Sequence, residues 1–321
     1  MNLRDYSDFC FLNWNIIISN CQFFVLPLYS KNRFVMVKTL VVLAAKMGNK
    51  YGGLKKPEEI GPNGETILDY SIYDAIHVGF DRVIFVIGKY FEEDFKRFIS
   101  FKYGKSIKVE FAYQEEILGS ANALLMAESL LDESFGVINA FSFYQRESFQ
   151  LLWNNLQSLK QNDCFFVCYK LSNVMAESGG VTRGICELDD QNKLLSVVDR
   201  YNIERVGAEP AYRNEFGKMV ELDENILVSM NMWGFTSNVF HMLHKDYSSF
   251  TETYGISPKS HYTVPIFVNR SLCEGLNVRG VNTAARWMGL VSADDRSQAI
   301  LRINEMIRKG VYPPRLFEIT N

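Results

Sequence analysis

The chain has 321 residues, 47% apolar and 22% charged, with a formal net charge of −3. This excludes a chain too polar to fold and gives no sign of the basic face that nucleic-acid binding requires. Six cysteines (Cys10, Cys21, Cys164, Cys168, Cys186 and Cys273) include no CxxC pair and no histidine partner at ligand spacing, so reduced, mostly buried thiols are expected rather than structural zinc.

Residues 1–35 differ from the rest. Their apolar part, Phe9 to Tyr29, is interrupted by Asn13, Asn15, Asn20, Gln22 and Pro27. That is poor material for a membrane span, and a signal peptide is equally weak. Met36 is followed at once by a strand pattern, VKTLVVLAA. The expectation is an extension over 1–35, disordered or upstream of the natural start, and one domain over 36–321. No membrane association is expected, and the cytoplasm is the expected compartment.

From Lys38 the pattern alternates. TLVVLAA is a continuous apolar run, as in a strand buried on both faces. A loop rich in glycine and lysine follows, and GPNGET is turn chemistry with Thr66 placed to cap a helix. ILDYSIYDAIHVGF has helical spacing, DRVIFVIG is a strand, YFEEDFKRFIS an amphipathic helix and IKVEFAY a strand. GSANALLMAESLL reads as one helix opening at a glycine, and FGVINA as the fourth strand. This order predicts a parallel sheet covered on both faces, with ligands beyond the strands' carboxyl ends. The relevant loops are then KMGNKYGGLKK, QEEILGS and AFSFYQ.

The second half is more mixed. DCFFVCYKL, GICELD, LLSVVDRY and ENILVSMNMWGF read as strands, and SNVFHMLHKD as a helix. SHYTVPIFVNRSLCEG is a helix-containing connection, LNVRGVN a short strand and RSQAILRINEMIRKG a closing amphipathic helix. The stretch around 225–300 is a candidate interface between copies of the chain.

The loop after the first strand places Lys46, Lys50, Lys55 and Lys56 within eleven residues. Glycines there let backbone N–H groups close on a phosphate. Neither GxxxxGK[ST] nor GxGxxG is present, and a solvated basic loop is the plain alternative. In context, however, LAAKMGNKYGGLKK resembles the signature of the sugar-phosphate nucleotidyltransferases, LAAGxGxR followed by a lysine. The resemblance continues through QEEILGSANALLMAE, VINAFSFY, VTRGICELD, VVDRYNIE, LVSMNMWGF and GVYPPRLF.

That resemblance implies a Rossmann-like three-layer α/β/α fold, with a mostly parallel central sheet and a smaller β-rich elaboration on the sugar side. It implies transfer of a nucleotidyl group from a nucleoside triphosphate to a sugar 1-phosphate, with release of pyrophosphate and use of Mg²⁺. Lys55 and Lys50 match the catalytic cations; Ala45, Gly48, Gln114, Gly119 and Ser120 match the nucleotide site. Gly184, Asp199, Arg200 and Asn231 match the sugar-phosphate site. Lys46 stands where the family has a glycine and Lys50 where it has an arginine, which keeps the charge and loses the bidentate fork.

The chain departs from the family at the tip of the fourth strand. The metal aspartate is expected at Phe141-Ser142, and a second one at Gly289, with Asp294 and Asp295 nearby. A phenyl ring cannot replace an oxygen ligand for Mg²⁺. Losing a ligand there costs several kcal/mol of transition-state stabilisation, on the order of 10²–10⁴ in rate. Glu115 and Glu116 are candidate replacements. Two readings follow: an impaired transferase, or a non-catalytic homologue that binds a nucleotide or sugar phosphate. A metal-dependent glycosyltransferase would need a DxD pair that AFSFY lacks.

Overall fold

The structure is a computed structural model that describes residues 38–45, 58–89, 92–160, 162–176, 179–207, 209–256, 261–290 and 293–317. The expectations for residues 1–35 and for Lys46, Gly48, Lys50, Lys55 and Lys56 lie outside the described residues.

The chain opens with β1 (Thr39–Leu43) and α1 (Ile67–Val78), followed by β2 (Arg82–Gly88), α2 (Glu92–Tyr103) and β3 (Lys108–Gln114). Next come α3 (Ser120–Leu125), β4 (Phe135–Asn139), β5 (Ser142–Phe143) and α4 (Arg146–Leu156). β1 pairs in parallel with both β2 and β4, and β2 with β3. Every residue of β1 is buried, because helices cover both faces of the sheet. Leu40, Val42, Val83 and Phe85 point to one side, where α1 packs through Leu68 and Ile72 and α4 through Phe149 and Leu152. Val41, Leu43, Ile84 and Val86 point to the other, against Ala121 and Leu124 of α3. The strand period of two thus sorts the core into two layers.

Thr66 starts α1 as its sequence suggested: its backbone N–H and its hydroxyl donate to the Asp69 carboxylate at 2.5 and 2.9 Å. The helix expected over 119–131 is shorter than its pattern. α3 stops at Leu125, and a separate turn of 3₁₀ helix covers Glu128–Leu130.

The second half supplies β6 (Asp163–Lys170), β7 (Val181–Leu188), β8 (Leu194–Val206), β9 (Glu209–Arg213), β10 (Met219–Glu221) and β11 (Leu227–Phe235). It continues with α5 (Val239–Tyr254), α6 (Val264–Leu272), β12 (Asn277–Thr283), β13 (Met288–Gly289) and α7 (Ala293–Arg308). α5 and α6 add Phe240, Leu243, Val264 and Phe267 to the layer that holds α3. Most of these strands pair antiparallel and extend the sheet, giving the order β10-β9-β8-β7-β11-β4-β1-β2-β3, with β6 and β12 branching from β11. The β8–β10 ribbon runs longer than the sequence pattern indicated, because its outward residues, such as Leu195 and Tyr201, are exposed and break the apolar period.

β11 makes the branch possible. One of its edges pairs with β6 throughout, apart from a break between Ser229 and Trp233. On the other edge Val228 and Ser229 pair with β7, while Trp233, Gly234 and Phe235 pair with β4. Asn231 sits in the break at φ 62, a left-handed backbone that asparagine tolerates better than most residues.

A third apolar cluster closes the far side. Ala299 and Ile303 of α7, with Tyr312 and Leu316, pack on Tyr70 and Phe143. At its margin Asp74, fully buried, accepts from Arg146 Nε at 2.9 Å and from the Tyr312 hydroxyl at 2.6 Å. Burial raises the Asp74 carboxyl to about 6 despite these partners. Among the described residues no helix is long and apolar enough to cross a membrane.

Candidate functional site

A cleft of about 340 Å³ opens at the carboxyl ends of β1, β3 and β4. This is where an open α/β sheet binds its ligands. It brings together Ala45, Gln114, Gly119, Ser120, Phe141, Ser142 and Asn231, residues the sequence assigned from four separate segments. Among the described residues that line it there is no Asp, Glu, Lys or Arg.

One wall is the loop from β3 into α3. Gln114, 2% exposed, donates from Nε2 to Asn122 Oδ1 at 2.7 Å and to the Gly119 carbonyl at 3.3 Å. The segment ahead of α6 straps this loop. Tyr262 N–H donates to the Leu118 carbonyl at 2.7 Å, Ala121 N–H to the Tyr262 carbonyl at 3.1 Å, and Val264 N–H to Ser120 Oγ at 2.9 Å. Tyr262 is itself held by its hydroxyl, which donates to buried Asp246 at 2.6 Å.

The opposite wall is the end of β4. The Asn139 N–H donates to the Tyr144 hydroxyl at 3.0 Å, and that hydroxyl donates to the Met230 carbonyl at 3.1 Å. Complete burial pushes this phenol up to about 12, so it stays a neutral donor. Asn231 Nδ2 donates to Asn139 Oδ1 at 2.9 Å, and Trp233 Nε1 donates to Asn231 Oδ1 at 2.9 Å. The kink in β11 and the tip of β4 are therefore locked to each other.

Gly184, Asp199 and Arg200 are not among the residues lining this cleft. Gly184 pairs with Asp199 of β8 on one side and with Ser229 of β11 on the other. Gly184 leaves room for its neighbours: a Cβ there would lie 3.3 Å from Asp199 Oδ1 and 3.5 Å from Ser229 Cβ. Ser229 Oγ accepts from Asn231 N–H at 3.3 Å, which ties this row to the cleft. Burial raises the Asp199 carboxyl above its usual range. Arg200 lies over the Tyr212 ring at 5.2 Å.

The two expected metal positions do meet, although they are far apart in sequence. β5 and β13 pair antiparallel, and Ser142 faces Gly289 directly. Neither carries a carboxylate. A Cβ on Gly289 would stand 2.5 Å from the tip of the Trp287 ring, so that ring occupies the space a side chain would need. The Arg183 guanidinium lies 4.8 Å from the Trp287 ring centre. Arg183 is buried, bonded to the Val174 carbonyl, and burial lowers it to about 10. Glu115 forms an exposed ion pair with Lys89 at 2.7 Å and does not line the cleft. Among the described residues no group of three or more His, Cys, Asp and Glu is placed to hold a metal. Mg²⁺ does not fit the residues at 141, 142 and 289, which offer one hydroxyl and no charge.

Sequence reasoning missed Asn122, Tyr262 and Trp287. None lies in a local pattern that marks it: Asn122 is the third residue of a short helix, and the other two act from distant segments.

Residues 55–254 match the nucleotidyl transferase family, and the chain belongs to it. The fold is similar to that of an inositol-1-phosphate CTP transferase from T. maritima, with a TM-score of 0.57 and 13% identity, over 83% of this chain and 96% of that one. It is also similar to a protein assigned as a glucose-1-phosphate thymidylyltransferase from Bacillus anthracis, in complex with a sucrose (TM-score 0.57, 12% identity, 83% of this chain, 94% of that one). HddC from Yersinia pseudotuberculosis gives 0.53 at 14% identity, over 83% of this chain and 99% of that one. No curated protein matches the chain.

Proposed function

We propose that this chain binds a nucleotide in the cleft without Mg²⁺, and that nucleotidyl transfer to a sugar 1-phosphate is strongly impaired or lost. One observation carries the reading: the paired positions Ser142 and Gly289 hold no carboxylate, and the Trp287 ring fills the space beside Gly289. The nucleoside side of the site supports binding, since Gln114, Gly119 and Ser120 line the cleft and are braced by the Tyr262 strap. Among the described residues the lining carries no Asp, Glu, Lys or Arg and is largely apolar, which favours a base and sugar over a bare triphosphate. The lysines at 46, 50, 55 and 56 follow Ala45 in sequence and are the cations available for phosphates.

In the family the sugar phosphate oxygen attacks the α-phosphorus in line and pyrophosphate leaves. The described residues that line the cleft are suited to orient a base, and among them none carries the carboxylate that would hold a metal against the developing charge. The deficit is several kcal/mol, or about 10²–10⁴ in rate.

The test pairs two measurements: nucleotide binding in EDTA, and pyrophosphate release with Mg²⁺ from a panel of nucleoside triphosphates and sugar 1-phosphates. Phe141→Asp and Ser142→Asp are run beside the wild type. Binding in EDTA with a silent wild type supports the proposal. Rapid Mg²⁺-dependent turnover by the wild type overturns it and restores full transferase activity as the function.

A further inference from the structure

We propose that a hollow at the amino ends of β6 and β12 is a second binding site, in which Lys193 and Arg279 together hold a phosphoryl dianion. That dianion is carried by free phosphate or by a small phosphate monoester. The site is separate from the nucleotide cleft and does not depend on what the cleft binds.

The hollow has a volume of about 240 Å³. Asp163 and Asn277, which line it, are the first residues of β6 and β12, and Lys193 stands just ahead of β8. β11 runs antiparallel to both β4 and β6, so β4 and β6 point the same way. The cleft lies at the carboxyl ends of its strands, and this hollow lies at the opposite edge of the sheet. Drug-sized ligands fill about 300–1,000 Å³, so the space suits something smaller.

Charge selects the ligand. Lys193 and Arg279 face each other in an antiparallel bridge, and both line the hollow. Residues directly opposite in such a pair share one face, with Cβ atoms about 4.5–5.5 Å apart, and like charges there repel. Among the described residues neither cation forms an ion pair. Asp163 is the acid of the lining, and its Oδ1 accepts from Asn277 Nδ2 at 2.9 Å. The Arg279 fork is set before any ligand arrives. Its Nη2 donates to Asn155 Oδ1 at 2.7 Å, and Asn155 Nδ2 donates to the Leu151 carbonyl of α4 at 2.8 Å. The remaining guanidinium N–H groups are left for ligand oxygens, and the lysine adds a point charge. Cys164 and Phe165, both buried, back the hollow with apolar surface, which strengthens attraction between charges in front of it. A dianion between the two cations turns one repulsion into two attractions, whereas a monocarboxylate can neutralise only one of them.

The experiment measures binding of orthophosphate, glycerol phosphate and acetate to the full chain by calorimetry at low salt. The wild type is expected to bind a phosphate ligand with a Kd on the order of 1 mM or below, and acetate at least about 10-fold more weakly. Tighter binding of glycerol phosphate identifies the monoester as the ligand, and tighter binding of orthophosphate identifies the free ion. Lys193→Gln and Arg279→Gln should each weaken binding about fivefold or more, and the double variant should remove it. Both side chains are exposed, so the glutamine variants should fold, which their urea midpoints check. Asp163→Asn removes the opposing charge and should tighten binding at least about twofold. Lys55→Gln, in the loop after β1, should leave phosphate binding unchanged. No saturable binding by the wild type up to about 10 mM overturns the proposal. So does a Kd that the double variant leaves unchanged while Lys55→Gln raises it, which would move the phosphate to the other end of the sheet.

Discussion

Gly119→Ala should dismantle the base-side wall, and the size of the effect can be worked from the geometry. Gly119 has φ 116 and ψ 172, a region essentially closed to residues with a Cβ, which costs about 1–3 kcal/mol. The added Cβ would also lie 2.2, 2.6 and 2.8 Å from the oxygen, carbon and nitrogen of Tyr262. Backbone cannot step aside as a side-chain tip does, so about 1–3 kcal/mol of overpacking adds to the strain. Separating the strands of the strap also threatens the bonds from Tyr262 to Leu118 and from Ala121 to Tyr262, at about 1 kcal/mol each. The sum is about 4–8 kcal/mol. Gly255 provides the control: it has φ 72 and ψ 171, yet among the described residues nothing lies within 4 Å of its Cβ position. Gly255→Ala should show the backbone strain alone. Urea denaturation followed by tryptophan fluorescence measures both, and calorimetry measures nucleotide binding. The alanine at 119 should cost at least about 2 kcal/mol more than that at 255 and should abolish binding, which the control retains. Equal losses for the two variants would refute the claim that contact with Tyr262 shapes this wall.

Three further outcomes are expected. Burial holds Asp74 at about 6 against an ordinary 3.8, so its contribution to stability is full below about pH 4 and is lost as pH rises through 6. At about 1.36 kcal/mol per unit this is about 3 kcal/mol. Denaturation between pH 3.5 and 7 should show a slope in the wild type that Asp74→Asn lacks. At the kink in β11, Asn231→Gly keeps the left-handed backbone but loses the bonds to Asn139 and Trp233, whereas Asn231→Ala loses both the bonds and the conformation. The alanine variant should be the less stable by about 1 kcal/mol in denaturant midpoints. Finally, Ser142→Asp with Gly289→Asp should create Mg²⁺ binding by calorimetry only when Trp287→Ala clears the space beside residue 289. Equal Mg²⁺ affinity with Trp287 in place would show that the ring yields readily.

Much of this protein was legible in its sequence because the information was local. The apolar run of β1, the alternation of strands and helices, the Thr66 cap and the glycine that opens α3 are set by residue type over a few positions. From them came the three-layer fold and the direction of the cleft; two of the loops read as its rim supply Gln114, Gly119, Ser120, Phe141 and Ser142, and Ala45 ends the strand run ahead of the third. That positions 141 and 142 carry no carboxylate was visible as plain letters. Only the tertiary structure decided what those residues meet. It set Ser142 against Gly289 across two short strands and placed the Trp287 ring over the gap. It also brought Tyr262 across the loop at Gly119 and bonded the Gln114 amide to Asn122. These contacts join segments with no shared period. They depend on which surfaces the sheet order brings together, and a hydrogen bond or a clash over a few ångströms then decides the chemistry. A pattern of residue types carries propensity; it does not carry those distances.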